Sequence, residues 1–281
     1  MKNLGYYNGK TGLIEEMTVP MTDRAFYFGD GVYDAVMCRN NIPYLLEEHL
    51  DRLYKNCNSL DIIPPKTKEE LSRLIEVLVR AVEAEEKFVY FHISRSSGLR
   101  NHTYERKEGN LCIMIKPQCT DNVYEKMSVI TKKDIRYGLC GIKTLNLLPN
   151  VLTAQNAEES GCEEAILVKD GYVTECSHSN VSILKNGTLI TAPTDNRILP
   201  GVTRAHLIEA ARRYGIPVKE RRYKEKELFK ADEIIVTSSS KLARSVKKIN
   251  GRDVGGKDSE RLVILRDSIY NDYINATKKA E

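Results

Sequence analysis

In the stretch "GIKTLNLLPN", residues 141–150, Lys143 stands among small and apolar residues and is followed by Asn146 and a proline. An ordinary lysine keeps its ammonium in water. In an apolar setting the amine loses its proton more readily, because desolvation disfavours the charged form, and a neutral amine can attack a carbonyl carbon to give a Schiff base. The stretch therefore nominates Lys143 as a nucleophile. One lysine does not make a site, so the elements that must position it come next.

Asn8-Gly9, between runs containing Tyr6, Tyr7, Leu13 and Ile14, predicts a tight hairpin at the start of the chain. "GVYDAVMC" and "IPYLL" flank Asn40-Asn41 and read as a second strand pair, after which Leu46, Leu50, Leu53, Cys57 and Leu60 recur at helical spacing and predict a helix over 47–60. Thr67 followed by Glu70 is a capping-box signature for a second helix, with Leu71, Leu74, Leu78 and Val82 carrying it to near residue 84. Strands follow at "FVYFHIS" and "LCIMIK". The turn-rich "PQCTDNVYEK" then breaks the periodicity, which predicts a smaller N-terminal domain over 1–118, a linker over 119–127 and a larger C-terminal domain over 128–281 that carries Lys143. In that second half "SVITK", "EEAILVK", "YVTE", "NVSIL" and "TLITA" read as strands, with hairpin turns at Asp170-Gly171 and Asn186-Gly187 and helices over 150–160, 203–214 and 258–275. Antiparallel hairpins with interspersed helices indicate two α+β domains.

Composition narrows the function classes. A chain of 281 residues with 41% hydrophobic content can bury a sizeable core, and 43 basic against 39 acidic residues give a mixed surface, so no nucleic-acid partner is implied. The seven cysteines include no Cys-x-x-Cys pair, which favours reduced thiols in a cytoplasmic setting and gives no metal site. The amino terminus lacks a signal-peptide stretch, and nowhere do about 18 apolar residues run together, so no membrane partner is expected. No glycine fingerprint for dinucleotides or nucleoside triphosphates is present.

Taken in order, "MTDRAFYFGDGVYDAV", "EEHLDRLYKN", "IKTLNLL", "GCEEAIL", "VTECSHSNV", "ILPGVTR" and "ADEIIVTSS" resemble the motifs of class IV aminotransferases, the pyridoxal 5′-phosphate enzymes of fold type IV, over nearly the whole chain. The resemblance implies an α+β, two-domain fold type IV enzyme with its active site between the domains and Lys143 carrying the cofactor as a Schiff base. It makes Glu175 the acid that pairs with the pyridine nitrogen and so keeps the ring an electron sink. By the same comparison Arg52, Thr203, Ser238 and Ser239 bind the cofactor phosphate, Val202 is a further cofactor-binding residue, Leu199 packs against the ring, and Asn180 lies near Glu175. Thr203 also begins an expected helix, whose first amides favour an anion. The implied reaction is a ping-pong transamination between an amino acid and a 2-oxo acid, in which the Lys143 amine also moves the substrate Cα proton.

Within the family, Arg100 and His102 of "RSSGLRNHTY" match the Arg-x-His pair by which D-amino acid aminotransferases hold the substrate carboxylate, with Tyr33 as the accompanying tyrosine. In the family that loop reaches the neighbouring subunit, so a homodimer is implied. The "TEC" at 174–176 also resembles aminodeoxychorismate lyases, the second reading, while the run after Lys143 departs from the glycine-rich continuation of branched-chain aminotransferases. His178 stands where the D-amino acid enzymes carry a small hydroxyl residue, and Lys241 follows the serine run. A non-catalytic relative or a thiol sensor is disfavoured because both Lys143 and Glu175 are present and the cysteines are scattered.

Overall fold

The computed structural model describes residues 1–279 and divides into two compact units. The first comprises Met1–Thr120, Ile142–Asn146 and the chain from Ile274 onward; the second comprises Asp121–Gly141 and Leu147–Tyr273.

In the first unit, strands β1 (Leu4–Tyr7) and β2 (Lys10–Gly12) form the opening hairpin, with Asn8 and Gly9 both at positive φ. A short helix α1 (Arg24–Phe28) leads to β3 (Gly31–Arg39) and β4 (Ile42–Pro43), joined through Asn40 and Asn41 at φ 54° and 64°, the left-handed pair that a tight hairpin requires. Helices α2 (Leu46–Ser59) and α3 (Lys68–Leu78) follow, and β5 (Glu86–Ser94) and β6 (Asn110–Pro117) complete an antiparallel sheet in the order β2-β1-β6-β5-β3-β4. Leu46, Leu50, Leu53 and Cys57 of α2 and Leu71, Ile75 and Leu78 of α3 pack on Val36, Val89, Phe91 and Ile113 of the sheet. Each fully buried leucine contributes about 1.5–3 kcal/mol. The Thr67–Glu70 capping box forms as expected. The helix stops at Leu78 rather than near 84, because the next turn tightens to 3-10 and the buried Lys87 ammonium takes the Val79 carbonyl at 2.8 Å.

The second unit holds β7 (Met127–Lys133), α4 (Leu148–Glu159), β8 (Glu164–Lys169), β9 (Tyr172–Cys176), β10 (Asn180–Lys185), β11 (Thr188–Thr191), α5 (Val202–Arg213), β12 (Val218–Glu220), α6 (Glu225–Leu228), β13 (Glu233–Ser238), β14 (Leu242–Ile249), β15 (Arg252–Asp253) and α7 (Ser259–Ala276), whose last turn falls in the first unit. Its sheet runs β12-β11-β10-β13-β14-β7-β8-β9, with β15 paired to β14. The hairpins β8–β9 and β10–β11 lie where Asp170-Gly171 and Asn186-Gly187 placed them. The pairs β7–β8, β11–β12 and β14–β7 are parallel, so this sheet is mixed rather than built of hairpins alone. For the first two the reason is the crossover helix between the strands, α4 and α5 respectively.

The chain does not leave the first unit once, at 119–127, as the linker reading had it. Ile142–Asn146 return to it because the first three residues of β3 have an open edge: Tyr33 N–H donates to the Lys143 carbonyl at 2.9 Å and Leu145 N–H to the Gly31 carbonyl at 3.0 Å. Gly31 permits this approach, since a Cβ there would lie 2.7 Å from Leu145 Cδ1 and 2.8 Å from the Ile93 carbonyl. Ile142 packs on the first core and Asn146 donates to the Gly29 carbonyl at 3.0 Å. Among the described residues no helix is long and apolar enough to cross a membrane.

Candidate active site

On the first unit, Lys143 is half-buried rather than enclosed, and its Nζ lies 4.3 Å from the centre of the Tyr33 ring. Tyr33 stacks on Tyr90 at 5.5 Å, and the Tyr90 hydroxyl is 3.1 Å from His92 Nδ1. Burial pulls the His92 imidazole down to about 4. The unfolded chain therefore takes up a proton near pH 6.5 that the folded chain refuses until about pH 4, so stability falls as pH drops through that window. At about 1.4 kcal/mol per unit, reduced because the ring keeps some contact with water, the loss between pH 7 and 4.5 is about 2 kcal/mol. Urea unfolding at the two pH values should show this loss in the wild type and a clearly smaller one in His92→Gln; equal losses would assign it to other groups.

Arg52 lies along α2 with Nε 2.9 Å from Asp34 Oδ2 and Nη2 2.8 Å from Asp34 Oδ1, so its guanidinium plane is fixed. Asp34 is fully buried, which by itself would raise its pKa, but Arg52 and the His49 ring at 2.7 Å outweigh burial and hold the carboxyl well below its usual range. Burial in turn lowers the His49 pKa, against the pull of Asp34. Asp34 and His49 were not singled out in the sequence; Asp34 lies in "GVYDAV" and His49 one turn before Arg52, the only signal available.

Arg100 and His102 lie on an exposed loop and meet the same ring: the Arg100 guanidinium is 5.0 Å from the centre of Phe28, and the His102 ring 5.3 Å. The loop backbone is held by Arg24, whose Nη1 donates to the Asn101 carbonyl at 2.7 Å while its Nε pairs with Asp30 at 2.8 Å. Among the described residues Tyr33 makes no hydrogen bond or ring contact with Arg100 or His102.

On the second unit, Glu175 lies near the close of β9, buried, with both carboxylate oxygens hydrogen-bonded. Oε1 accepts from Arg136 Nη1, and Oε2 accepts from Asn180 Nδ2 at 2.8 Å and from the Leu199 N–H at 3.0 Å. Arg136 also donates to Asp134 from Nε at 3.0 Å and Nη2 at 2.8 Å, and to the Arg197 carbonyl at 2.8 Å. Burial opposes both charges, yet the pairing prevails, keeping the Asp134 carboxyl below and the Arg136 guanidinium above its usual range. Glu175 thus sits beside a buried cation, paired to it through Arg136 Nη1. Sequence reasoning missed Arg136, Asp134 and Thr174, whose hydroxyl donates to Asp134 at 2.8 Å; the charged Asp-x-Arg directly after a strand was the available cue.

Asn180 also donates to the Leu199 carbonyl at 3.0 Å, tying Leu199 to the same cluster. Helix α5 begins at Val202 and Thr203 after Gly201, with no side chain capping it, which leaves first-turn amides for an anion. A Cβ on Gly201 would fall 2.0 Å from Asn180 Oδ1, so glycine is what lets the helix start come this close. Ser238 closes β13 and Ser239 begins the turn after it, and Ser238 Oγ accepts from the Lys241 N–H at 3.1 Å.

Solved structures share this architecture. The chain is similar to the branched-chain aminotransferase of Thermoproteus uzoniensis crystallised with norvaline, with a TM-score of 0.86 and 22% identity over 99% of this chain and 96% of that one. A branched-chain aminotransferase from Escherichia coli gives 0.87 and 20%, covering 99% and 97%. These likenesses define the fold as that of the fold type IV aminotransferases. The amino-transferase class IV family model matches residues 31–249, and the chain belongs to that family. Among curated relatives, D-alanine aminotransferase of Listeria monocytogenes serotype 1/2a (strain 10403S) is 39% identical over 246 residues, 85% of each chain, and that of Bacillus licheniformis is 32% identical over 284 residues, covering 97% of this chain and 98% of that one.

The cofactor of this family is pyridoxal 5′-phosphate, and the groups on each unit suit it. The uncapped α5 amides and the glycine-made cradle beside Asn180 suit a phosphate, and a buried Glu175 carboxyl suits a protonated ring nitrogen. The chain is an aminotransferase.

Proposed function

We propose that the enzyme transfers amino groups between D-amino acids, D-alanine among them, and 2-oxo acids. The observation that carries this reading is the likeness to D-alanine aminotransferases at 32–39% identity, joined to an Arg100–His102 loop held in place by Arg24 and Phe28. When bound, the cofactor withdraws the electron pair left on the substrate Cα. Lys143 would hold the cofactor through its amine, and the same amine would carry the substrate Cα proton. Glu175, steadied by Arg136 and Asn180, holds the proton on the ring nitrogen. Arg52, Val202, Thr203, Ser238 and Ser239 hold the phosphate, and Leu199 supports the ring. Arg100, His102 and Tyr33 bind the substrate carboxylate.

The functional form is a homodimer in which the Arg100–His102 loop serves the neighbouring subunit. The exposed apolar residues around that loop support this: Met21, Phe26 and Leu99 are 77%, 71% and 88% exposed, and the Gly98 N–H donates to the Thr22 carbonyl, so the two segments lie together. Seven free thiols suit a cytoplasmic location.

Arg100→Ala should raise KM for D-alanine about 10- to 100-fold, the loss of a charge-assisted pair, with a smaller change in kcat. An unchanged KM would remove the carboxylate role. The reading itself is tested by titrating the cofactor-loaded enzyme with D-alanine, L-alanine and L-leucine while following the absorbance of the bound cofactor. Conversion by D-alanine alone is expected. Conversion by L-leucine would place it with the branched-chain enzymes, and no conversion by any of the three would turn attention to pyruvate release from aminodeoxychorismate.

A further inference from the structure

The two residues that depart from the D-amino acid pattern, His178 and Lys241, are brought together by the fold. Lys241 Nζ donates to His178 Nε2 at 2.7 Å. An Nε2 that accepts leaves the ring proton on Nδ1, which stands 3.2 Å from Glu164 Oε2 and 2.9 Å from Ser177 Oγ. Glu164 is fully buried and already filled: it accepts from the Ser177 N–H at 3.1 Å, the Ser177 hydroxyl, the Ser179 hydroxyl at 2.8 Å and the Ala165 N–H at 3.0 Å. Its nearest approach to Lys241 Nζ is 3.9 Å, an ion pair beyond hydrogen-bond reach.

The Lys241 side chain is only 8% exposed, and among the described residues its ammonium makes a single hydrogen bond, to a neutral acceptor. Two of its three N–H donors are unmatched. A nearly buried ammonium in that condition is costly unless a ligand supplies acceptors. The surroundings indicate which ligand. His178 lies in the turn that joins Glu175 to Asn180, Lys241 closes the turn that holds Ser238 and Ser239, and Asn180 pairs with Thr237 across adjacent strands. Both turns are segments that bind cofactor or substrate under the function proposed above, on which the choice of ligand source rests.

The geometry points to Lys241, oriented by His178 and Glu164, as an oxyanion-binding group of this site. Its ligand is a phosphate or a carboxylate, supplied by the cofactor or by the far end of a dicarboxylic amino acid. Neither a serine hydroxyl nor a backbone amide offers a full charge at that position, so the group extends the recognition already assigned to Ser238 and Ser239.

Thermal melting of the full chain, cofactor-free and cofactor-loaded, with inorganic phosphate or glutarate at constant ionic strength, tests this without turnover. The wild type should be stabilised by at least one of the two anions, and Lys241→Met should bind it about tenfold or more weakly. Lys241→Gln, closer in polarity, serves if the methionine variant does not fold. A phosphate effect confined to the cofactor-free protein, with pyridoxal phosphate itself bound about tenfold more weakly by the variant, assigns the group to the cofactor. A glutarate effect in the loaded enzyme, with KM raised for D-glutamate and not for D-alanine, assigns it to the substrate. Equal stabilisation of wild type and variant by both anions would overturn the inference. Anion binding without D-amino acid conversion would sink the proposed reaction and leave the Lys241 anion group standing; conversion with no Lys241-dependent anion effect would do the reverse.

Discussion

Lys143→Ala is expected to lower the rate of transamination by about four orders of magnitude or more while leaving the melting temperature within a few degrees of wild type. Under the proposed function one amine both anchors the cofactor and moves a proton, and general base catalysis alone is worth about 10²–10⁴. The fold should tolerate the change, because Lys143 is tied to β3 through its backbone carbonyl and its side chain is half-buried. A small primary amine added to the assay should restore a fraction of the lost rate, since proton transfer needs only a base of the right size and pKa. Turnover of the alanine variant within tenfold of wild type would remove Lys143 from the mechanism.

Glu175→Gln should reduce kcat about 100- to 1000-fold with little change in KM for D-alanine, because the amide no longer offsets the charge of a protonated ring nitrogen. The variant should still fold: Arg136 keeps Asp134 and the Arg197 carbonyl as partners, and the Gln side chain can still accept from the Leu199 N–H and Asn180. Arg136→Gln should cost less activity than Glu175→Gln, since it leaves the carboxylate in place. A Glu175→Gln enzyme with kcat within threefold of wild type would show that the carboxylate charge is not used in the rate-limiting step.

Much of this was written locally. The Asn-Gly, Asp-Gly and Asn-Asn hairpins, the Thr67–Glu70 cap and the apolar face of α2 depend on residues a few positions apart, and each forms where the sequence places it. The parallel pairs and strands β12 to β15 carried no such signal, because the parallel partners are set by crossovers, β12 and β15 are very short, and the alternation of β14 is broken by Lys247 and Lys248. The candidate site divides in the same way. Lys143, Glu175 and Arg52 were legible through motifs, whereas Arg136 acquires its meaning only from a carboxylate 39 positions later, and Lys241 from a histidine 63 positions earlier. Residue type alone cannot announce a partner that distant.

The Ile142–Asn146 segment has a bearing on how the enzyme ages under heat. It joins the edge of β3 through two backbone hydrogen bonds and a side-chain tether from Asn146, with no strand on its outer side among the described residues. Peeling it from that edge breaks these bonds and the packing of Ile142 but no strand pairing within either sheet, so it is expected to open at a smaller free energy than either core. The proposed nucleophile therefore rides on a segment expected to loosen early. Inactivation and unfolding should then separate: activity is expected to be lost on heating at a lower temperature than ordered structure.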